Sequence, residues 1–293
     1  MSEAPFVSVV VPTADRADVL GDCLESLLAQ DYPSSRYEVI VVHNGPGTAR
    51  PALVEPLLAR AEPPALRLIR LPVPDANAAR NAGMAAAGGD PICLIDDDVV
   101  VPIHWLSAMV AGAARHPSAG CLGGPVRPRF EREPPRTCSE HGLAGAVLDE
   151  GPEDAEVGEV WSCNMAVRRH DLERVGPLRE RLAVLHECEW QGRLHQAGGR
   201  IVYLPAAWIW HRRLESDLRA PALVRDNFLL GYAVVALGQE LTLREAAAGV
   251  VSALAHAARR RCTRGFTDAM RKTGSACAII AGRRRRPWAT SLR

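Results

Sequence analysis

The run Ile92-Cys93-Leu94-Ile95-Asp96-Asp97-Asp98 closes an apolar stretch on three adjacent carboxylates. Neighbouring aspartates repel one another and Asp is a poor strand former, so a buried strand ending on three of them calls for a compensating charge. A hard divalent cation such as Mg²⁺ or Mn²⁺, which prefers carboxylate oxygens, supplies that charge. Ligands in open α/β sheets bind outside the carboxyl ends of the strands, which is where this triplet falls. A solvated acidic turn is the alternative reading of the triplet taken alone.

The elements that must position the triplet are legible around it. Phe6 to Val11, a β-branched run closed by Pro12, reads as a buried parallel strand. Asp18 is placed to N-cap a helix carrying Leu20, Leu24, Leu27 and Leu28 on one face. Tyr37 to Val42 and Leu66 to Leu71 read as further strands, with a Pro-rich helical segment between them. The Ala-rich stretch Ala76 to Ala87 reads as a helix that Gly88-Gly89-Asp90-Pro91 turns into the Ile92 strand. Strands alternating with helices predict βαβ units and a parallel sheet, an α/β fold. Beyond residue 119 the pattern is less regular. Gly120 to Phe130 reads as a strand leaving the sheet, Arg132 to Glu159 as a loop, and Val160 to Val167 and Arg200 to Leu204 as strands. Glu187 to Ala197 reads as a helix, and Trp208-Ile209-Trp210-His211 is an aromatic run ending on a histidine.

Composition narrows the class. With 293 residues, 47% hydrophobic and 24% charged, the chain has the make-up of a globular protein with material for a large core. Its eight cysteines form no CxxC pair, which argues against a zinc site or a disulfide framework and suits a reducing cytoplasm. Met1-Ser2-Glu3-Ala4-Pro5 has neither a basic nor an apolar region of the secretory kind, so no signal peptide is expected. The apolar run Phe228 to Leu237 has ten residues, where a bilayer-crossing helix needs about 20. The net charge of +1 hides an asymmetry: His256 to Arg293 carries 11 Lys/Arg and one acid, a net of +10, leaving −9 elsewhere. A basic tail behind the amphipathic stretch Leu241 to Ala258 suggests an anionic surface as partner, either a membrane leaflet or nucleic acid, with a solvated tail as the alternative.

In this order the chain resembles the family 2 glycosyltransferases. The matching stretches are VSVVVPT from Val7, CLESLLAQDYP from Cys23, VIVVHNG from Val39, ANAARNAG from Ala76, LIDDDVVVPIHWL from Leu94, SCNMAVRR from Ser162, ECEWQGRL from Glu187 and GRIVYLPAAWIWH from Gly199. The resemblance covers roughly residues 6 to 213 and leaves the tail from about residue 217 outside it. It implies a GT-A fold: a single Rossmann-like, mostly parallel sheet flanked by helices. A donor half (1–119) and an acceptor half (120–216) would precede a helical, basic C-terminal extension (217–293). It also implies an inverting, hexosyltransferase-type enzyme that uses Mn²⁺ or Mg²⁺ and a nucleoside diphosphate sugar, with a small-molecule or lipid-linked acceptor. The expected location is the cytoplasm or its membrane surface, and no nucleic-acid partner is expected.

Residue by residue, Asp96 and Asp98 fall on the two acids of the family's DxD motif, with Asp98 on the metal and Asp96 towards the ribose or the metal's waters. Asp97, between them, would make a backbone or ribose contact. His211 stands where the family often has a second metal ligand, and neutral imidazole suits Mn²⁺. Pro12, Thr13, Asp15 and Arg16 fall on the loop that cradles base and ribose, and Arg80 and Asn81 on a pair near base and phosphate. His43 replaces the family's usual Asp, the residue that accepts from uracil N3–H, so UDP stands first as donor nucleotide with dTDP and GDP open. Glu187 matches the second acid of the family's acidic pair, with His186 in place of the first. It is the expected catalytic base, and the helix N-terminus it occupies would favour its ionised form. Trp161, Asn164, Glu189 and Trp190 are expected on the acceptor side, Trp190 as a flat apolar face for a sugar ring. A non-catalytic nucleotide-sugar-binding module is the main alternative. A nucleotidyltransferase is disfavoured, because Val11 to Arg16 lacks the glycines of that class's phosphate loop.

Overall fold

The computed structural model describes residues 3–14, 17–45, 63–72, 74–137, 147–182, 185–236 and 240–284. The Pro-rich segment expected between the second and third strands, the Asp18 cap and the end of the basic tail lie outside the described residues and side chains. The elements run β1 (Val7–Thr13), α1 (Ala17–Leu28), β2 (Tyr37–Asn44), β3 (Ala65–Leu71), α2 (Ala76–Ala86), β4 (Ile92–Ile95), β5 (Val99–Val100) and α3 (Trp105–Arg115). Next come β6 (Ala119–Gly123), β7 (Val126–Phe130), β8 (Ala155–Glu156), β9 (Asn164–Val167), α4 (Arg169–Val175), α5 (His186–Gln196), β10 (Arg200–Tyr203) and β11 (Ile209–Arg213). Three helices follow among the described residues: α6 (Ala220–Ala236), α7 (Leu243–Arg260) and α8 (Thr263–Arg284).

The chain divides into two compact units. The first comprises Met1–Arg129, Leu148–Leu182 and His186–Arg212; the second comprises Phe130–Val147, Ala183–Leu185 and Arg213–Arg293 and contains α6 to α8. In the first unit an eight-stranded sheet has the order β3-β2-β1-β4-β9-β6-β10-β8. Strands β1 to β4 pair in parallel, as do β6 and β10, while β9 and β8 run against their neighbours. The donor and acceptor halves expected on either side of residue 119 share this one sheet.

Alternation along the central strands explains the layers. Val9, Val11, Val39, Val41, Cys93 and Ile95 face one apolar cluster together with Leu20, Leu24 and Leu27 of α1. Val10, Ile40, Val42, Ile92 and Leu94 face the other, with Ala79 and Met84 of α2 and Trp190 and Leu194 of α5. Both faces of the sheet are buried, so its strands read as continuous apolar runs. Helix α2 approaches closely because Gly83 has no Cβ; one built there would stand 2.2 Å from a Val10 methyl.

Two expectations need correction. The first strand does not stop at Pro12 but continues to Thr13, with Pro12 opposite Val42. Its pairing with β4 covers only Ser8 to Val10, so the proline, lacking an N–H, stands past the end of the shorter neighbour. The segment Gly120 to Phe130 is two strands, and β7 belongs to a small three-stranded sheet of order β5-β11-β7 beside the mostly parallel central one. The change of sheet falls at Gly123-Gly124-Pro125, where a Cβ on Gly124 would stand 2.2 Å from the Ala207 carbonyl.

Candidate active site

The Asp triplet lies in the turn between β4 and β5, beyond the carboxyl ends of the central strands. Each carboxylate has its own partner. The Asp97 carboxylate accepts from the Thr13 hydroxyl at 2.7 Å, tying the end of β1 to the end of β4. The Asp96 carboxylate accepts from the Arg80 guanidinium at 2.6 Å. Asp98 Oδ1 lies 3.0 Å from His211 Nε2, a meeting fixed by the pairing of His211 with Val99 and by the Arg212 N–H donating to the Asp98 carbonyl at 2.8 Å.

Ligand atoms of Asp96, Asp98 and His211 lie within 4.8 Å of one another. Two carboxylate oxygens and an imidazole nitrogen form a donor set suited to Mn²⁺ or Mg²⁺. The surroundings agree with that chemistry. Burial, together with the fields of Asp97, Asp98 and Asp96, pushes the Cys23 thiol well above its ordinary range. His211 Nδ1 is buried with no hydrogen-bond partner among the described residues. The residues fit a divalent ion.

Helix α5 begins at His186 and is anchored by Gln191, whose amide exchanges hydrogen bonds with the Val160 backbone at 2.9 and 2.7 Å. The Glu187 side chain is 14% exposed, and its Oε2 is buried without a hydrogen-bond partner among the described residues. Burial pushes its carboxyl up to about 7; its own backbone N–H and Arg80 oppose that rise, while Asp96 and Glu159 add to it. This corrects the expectation that the helix N-terminus holds Glu187 ionised: desolvation outweighs the helix dipole. Burial and then the Arg80 charge push neighbouring His186 down to about 3, so its imidazole is neutral. His186 Nε2 lies 3.0 Å from Ser162 Oγ and 3.5 Å from Glu187 Oε2.

Arg80 links the two groups of acids. It pairs with Asp96, donates to Asn77 Oδ1 at 3.2 Å, and its charge acts on both Glu187 and His186. Asn81, expected near base and phosphate, instead donates to the Leu178 carbonyl and accepts from the Leu178 N–H, both at 2.9 Å. Asn77 donates to the carbonyls of Arg179 and Leu182. Asp75 caps α2 and also accepts from the Arg181 N–H; burial opposes its ionisation, but its three backbone donors hold it below the usual carboxylate range. One face of α2 therefore fixes the segment that leads towards α5. The i, i+4 spacing of Asn77 and Asn81 in ANAARNAG was the available signal for this role.

The other expected residues are dispersed. His43, the residue before the last of β2, stands opposite Thr13 and is 2% exposed, and Pro12 is buried; Asp15 and Arg16 lie outside the described residues. Trp161 is half-buried against the core. The remaining acceptor-side expectations need correction. Trp190 is a core residue, 1% exposed, with its indole N–H on the Gly176 carbonyl. Glu189 is ion-paired with Arg193 and Arg179. Asn164 is fully buried, accepting from the Trp105 indole at 2.9 Å and donating to the Pro125 and Ala207 carbonyls. Asn164→Ala strands these three buried groups. It is expected to lower stability by about 2–4 kcal/mol, read as a lower urea midpoint at unchanged slope.

Residues 8–176 match the family described as "Glycosyl transferase family 2". Glycosyltransferase AglE of Haloferax volcanii is 26% identical over 208 residues, covering 69% of this chain and 65% of that protein. Succinoglycan biosynthesis protein ExoM of Rhizobium meliloti is 28% identical over 236 residues, covering 78% of this chain and 74% of that protein. Among solved structures, mannosyltransferase PcManGT from Pyrobaculum calidifontis in complex with GDP-Man and Mn²⁺ superposes with a TM-score of 0.61 at 16% identity, covering 98% of this chain and 78% of that one. S. aureus TarS in complex with UDP-GlcNAc gives 0.56 at 16% identity, covering 95% and 92%. The fold these likenesses define is of the GT-A type. The chain belongs to glycosyl transferase family 2.

Proposed function

We propose that the chain moves a sugar from a nucleoside diphosphate sugar to an acceptor hydroxyl with inversion at the anomeric carbon. The observation that carries this reading is the buried Glu187 carboxyl, pushed up to about 7 by burial and within reach of the charge of Asp96, a member of the cation-fitting cluster at the strand ends. A base working near neutral pH is strongest when its pKa lies close to that pH. In the proposed step Glu187 takes the proton of the acceptor hydroxyl. The acceptor oxygen bonds to the anomeric carbon, and the bond from that carbon to the diphosphate breaks, its electron pair leaving with the diphosphate. Asp98, His211 and Asp96 would hold a divalent ion, which when bound neutralises charge on the departing diphosphate as a Lewis acid. Arg80 holds Asp96 in place, and burial, with the Arg80 charge second, keeps neighbouring His186 neutral.

GDP-Man in the complex of PcManGT and UDP-GlcNAc in that of TarS support a nucleotide-sugar donor. UDP stands first, with dTDP and GDP compared against it because His43 occupies the base-reading position. A small-molecule or lipid-linked hydroxyl is the proposed acceptor class. With water as acceptor and an α-linked UDP-sugar, proton NMR before mutarotation is expected to show the β-anomer of the free sugar first. First release of the α-anomer would contradict a single base at Glu187.

A further inference from the structure

Helix α7 has more apolar surface than its packing uses. Thr242 caps it, accepting from the Glu245 N–H while Glu245 bonds back to the Thr242 N–H. One face lies against α8: Ala246 is fully buried, and a Cβ on Gly265 would stand 2.7 Å from the Ala257 nitrogen and 2.9 Å from the Ala253 carbonyl. A second face, carrying Glu245, Ser252 and His256, is polar. The third face repeats Ala247, Val251, Leu254 and Ala258 at spacings of four, three and four residues, and every one of them is exposed. Val251 is 68% and Leu254 44% exposed. A surface helix of a globular protein needs only a packed face and a polar face.

The charge around this stripe selects what would cover it. Arg244 at one end and Arg259, Arg260 and Arg261 at the other are exposed, and no ion pair among the described residues engages them. From His256 onwards the net charge is +10. No helix among the described residues is long and apolar enough to cross a membrane. An apolar stripe framed by arginines matches the boundary between acyl chains and anionic headgroups. We propose that α7 docks on the surface of an anionic lipid bilayer, with Val251 and Leu254 at the acyl boundary and the four arginines among the phosphates.

The test is sedimentation of the full chain with vesicles of mixed phosphatidylglycerol and phosphatidylcholine, and with vesicles of phosphatidylcholine alone. The protein is expected to pellet with the anionic vesicles only, and raised salt should release it. Arg259→Gln/Arg260→Gln/Arg261→Gln is expected to weaken binding by roughly a hundredfold, about fivefold for each charge lost. Val251→Asp/Leu254→Asp should return the protein to the supernatant with its circular dichroism unchanged. Equal recovery with both vesicle types overturns the proposal. So does full binding by the Val251→Asp/Leu254→Asp variant, which would assign attachment to the basic tail alone. A vesicle-free dimer that this same variant dissociates, seen by light scattering, would assign the stripe to a second copy of the chain and also overturn it.

Discussion

Replacing Asp98 with alanine is expected to remove nearly all sugar transfer while leaving the fold intact. Asp98 is the centre of the cation-fitting cluster: its Oδ1 lies 3.0 Å from His211 Nε2, and its carbonyl accepts the Arg212 N–H. The side chain takes no part in the sheet ladders, so its loss acts on ion binding. A Lewis acid contributes several kcal/mol to stabilising a leaving diphosphate, so turnover should fall by roughly a thousandfold or more. Titration calorimetry gives an independent reading: the parent should bind nucleoside diphosphate more tightly with Mn²⁺ present, and Asp98→Ala should bind it weakly and equally with or without the ion. His211→Ala should show the same loss in milder form, since two carboxylates remain. Full transfer by Asp98→Ala would remove the ion from the account.

Glu187→Gln is the second large effect. It keeps the size of the side chain and removes the proton acceptor, so turnover should drop by roughly a hundredfold to ten-thousandfold with little change in donor affinity. The parent's kcat/KM should rise tenfold per pH unit up to about 7, where the carboxyl completes its ionisation, and then level off. The variant should lack that rising limb. Stability should move the other way. The folded carboxyl titrates near 7 against 4.5 as its ordinary value, so between these the unfolded chain gives up its proton first. The parent therefore loses stability as pH rises from 4.5 to 7, in total on the order of 3 kcal/mol. Glu187→Gln has no such loss and should be the more stable protein at pH 8 although the less active one. Glu189→Gln serves as the control, because Glu189 is tied to Arg193 and Arg179 and should be dispensable for turnover. Near-parental turnover in Glu187→Gln, with loss in Glu189→Gln, would move the base by half a helical turn.

The central strands were readable because both faces of their sheet are buried, which writes Val7 to Val11, Tyr37 to Val42 and Ile92 to Ile95 as apolar runs. The division between β6 and β7 was harder to read, since a close backbone approach at Gly124 leaves the same glycine signature as a turn. At the site, residue type singled out the Asp triplet, His211 and Glu187 as candidates, and the fold brings ligand atoms of Asp96, Asp98 and His211 together. Partnership did not follow from type. Arg80 meets Asp96 only because α2 lies against the strand ends, and spacing along the chain carries no record of that. Asn164 and Trp190 suit an acceptor site and a satisfied core equally well by composition. Their hydrogen bonds to Trp105 and Gly176 decide for the core. The ionisation of Glu187 was misread for a related reason: a helix N-terminus is visible in a sequence, and the depth of burial that overrides it is not.

The central claim is that a divalent ion at Asp96, Asp98 and His211 and a base at Glu187 act together on a nucleoside diphosphate sugar. It is tested most directly by phosphorus NMR of the full chain incubated with UDP-, dTDP- and GDP-sugars in Mn²⁺. The account predicts that at least one donor is converted to its nucleoside diphosphate, that EDTA stops the conversion, and that Asp98→Ala and Glu187→Gln each suppress it. Conversion that proceeds undiminished in EDTA or in both variants, or three donors left intact by the parent protein in Mn²⁺, would contradict it.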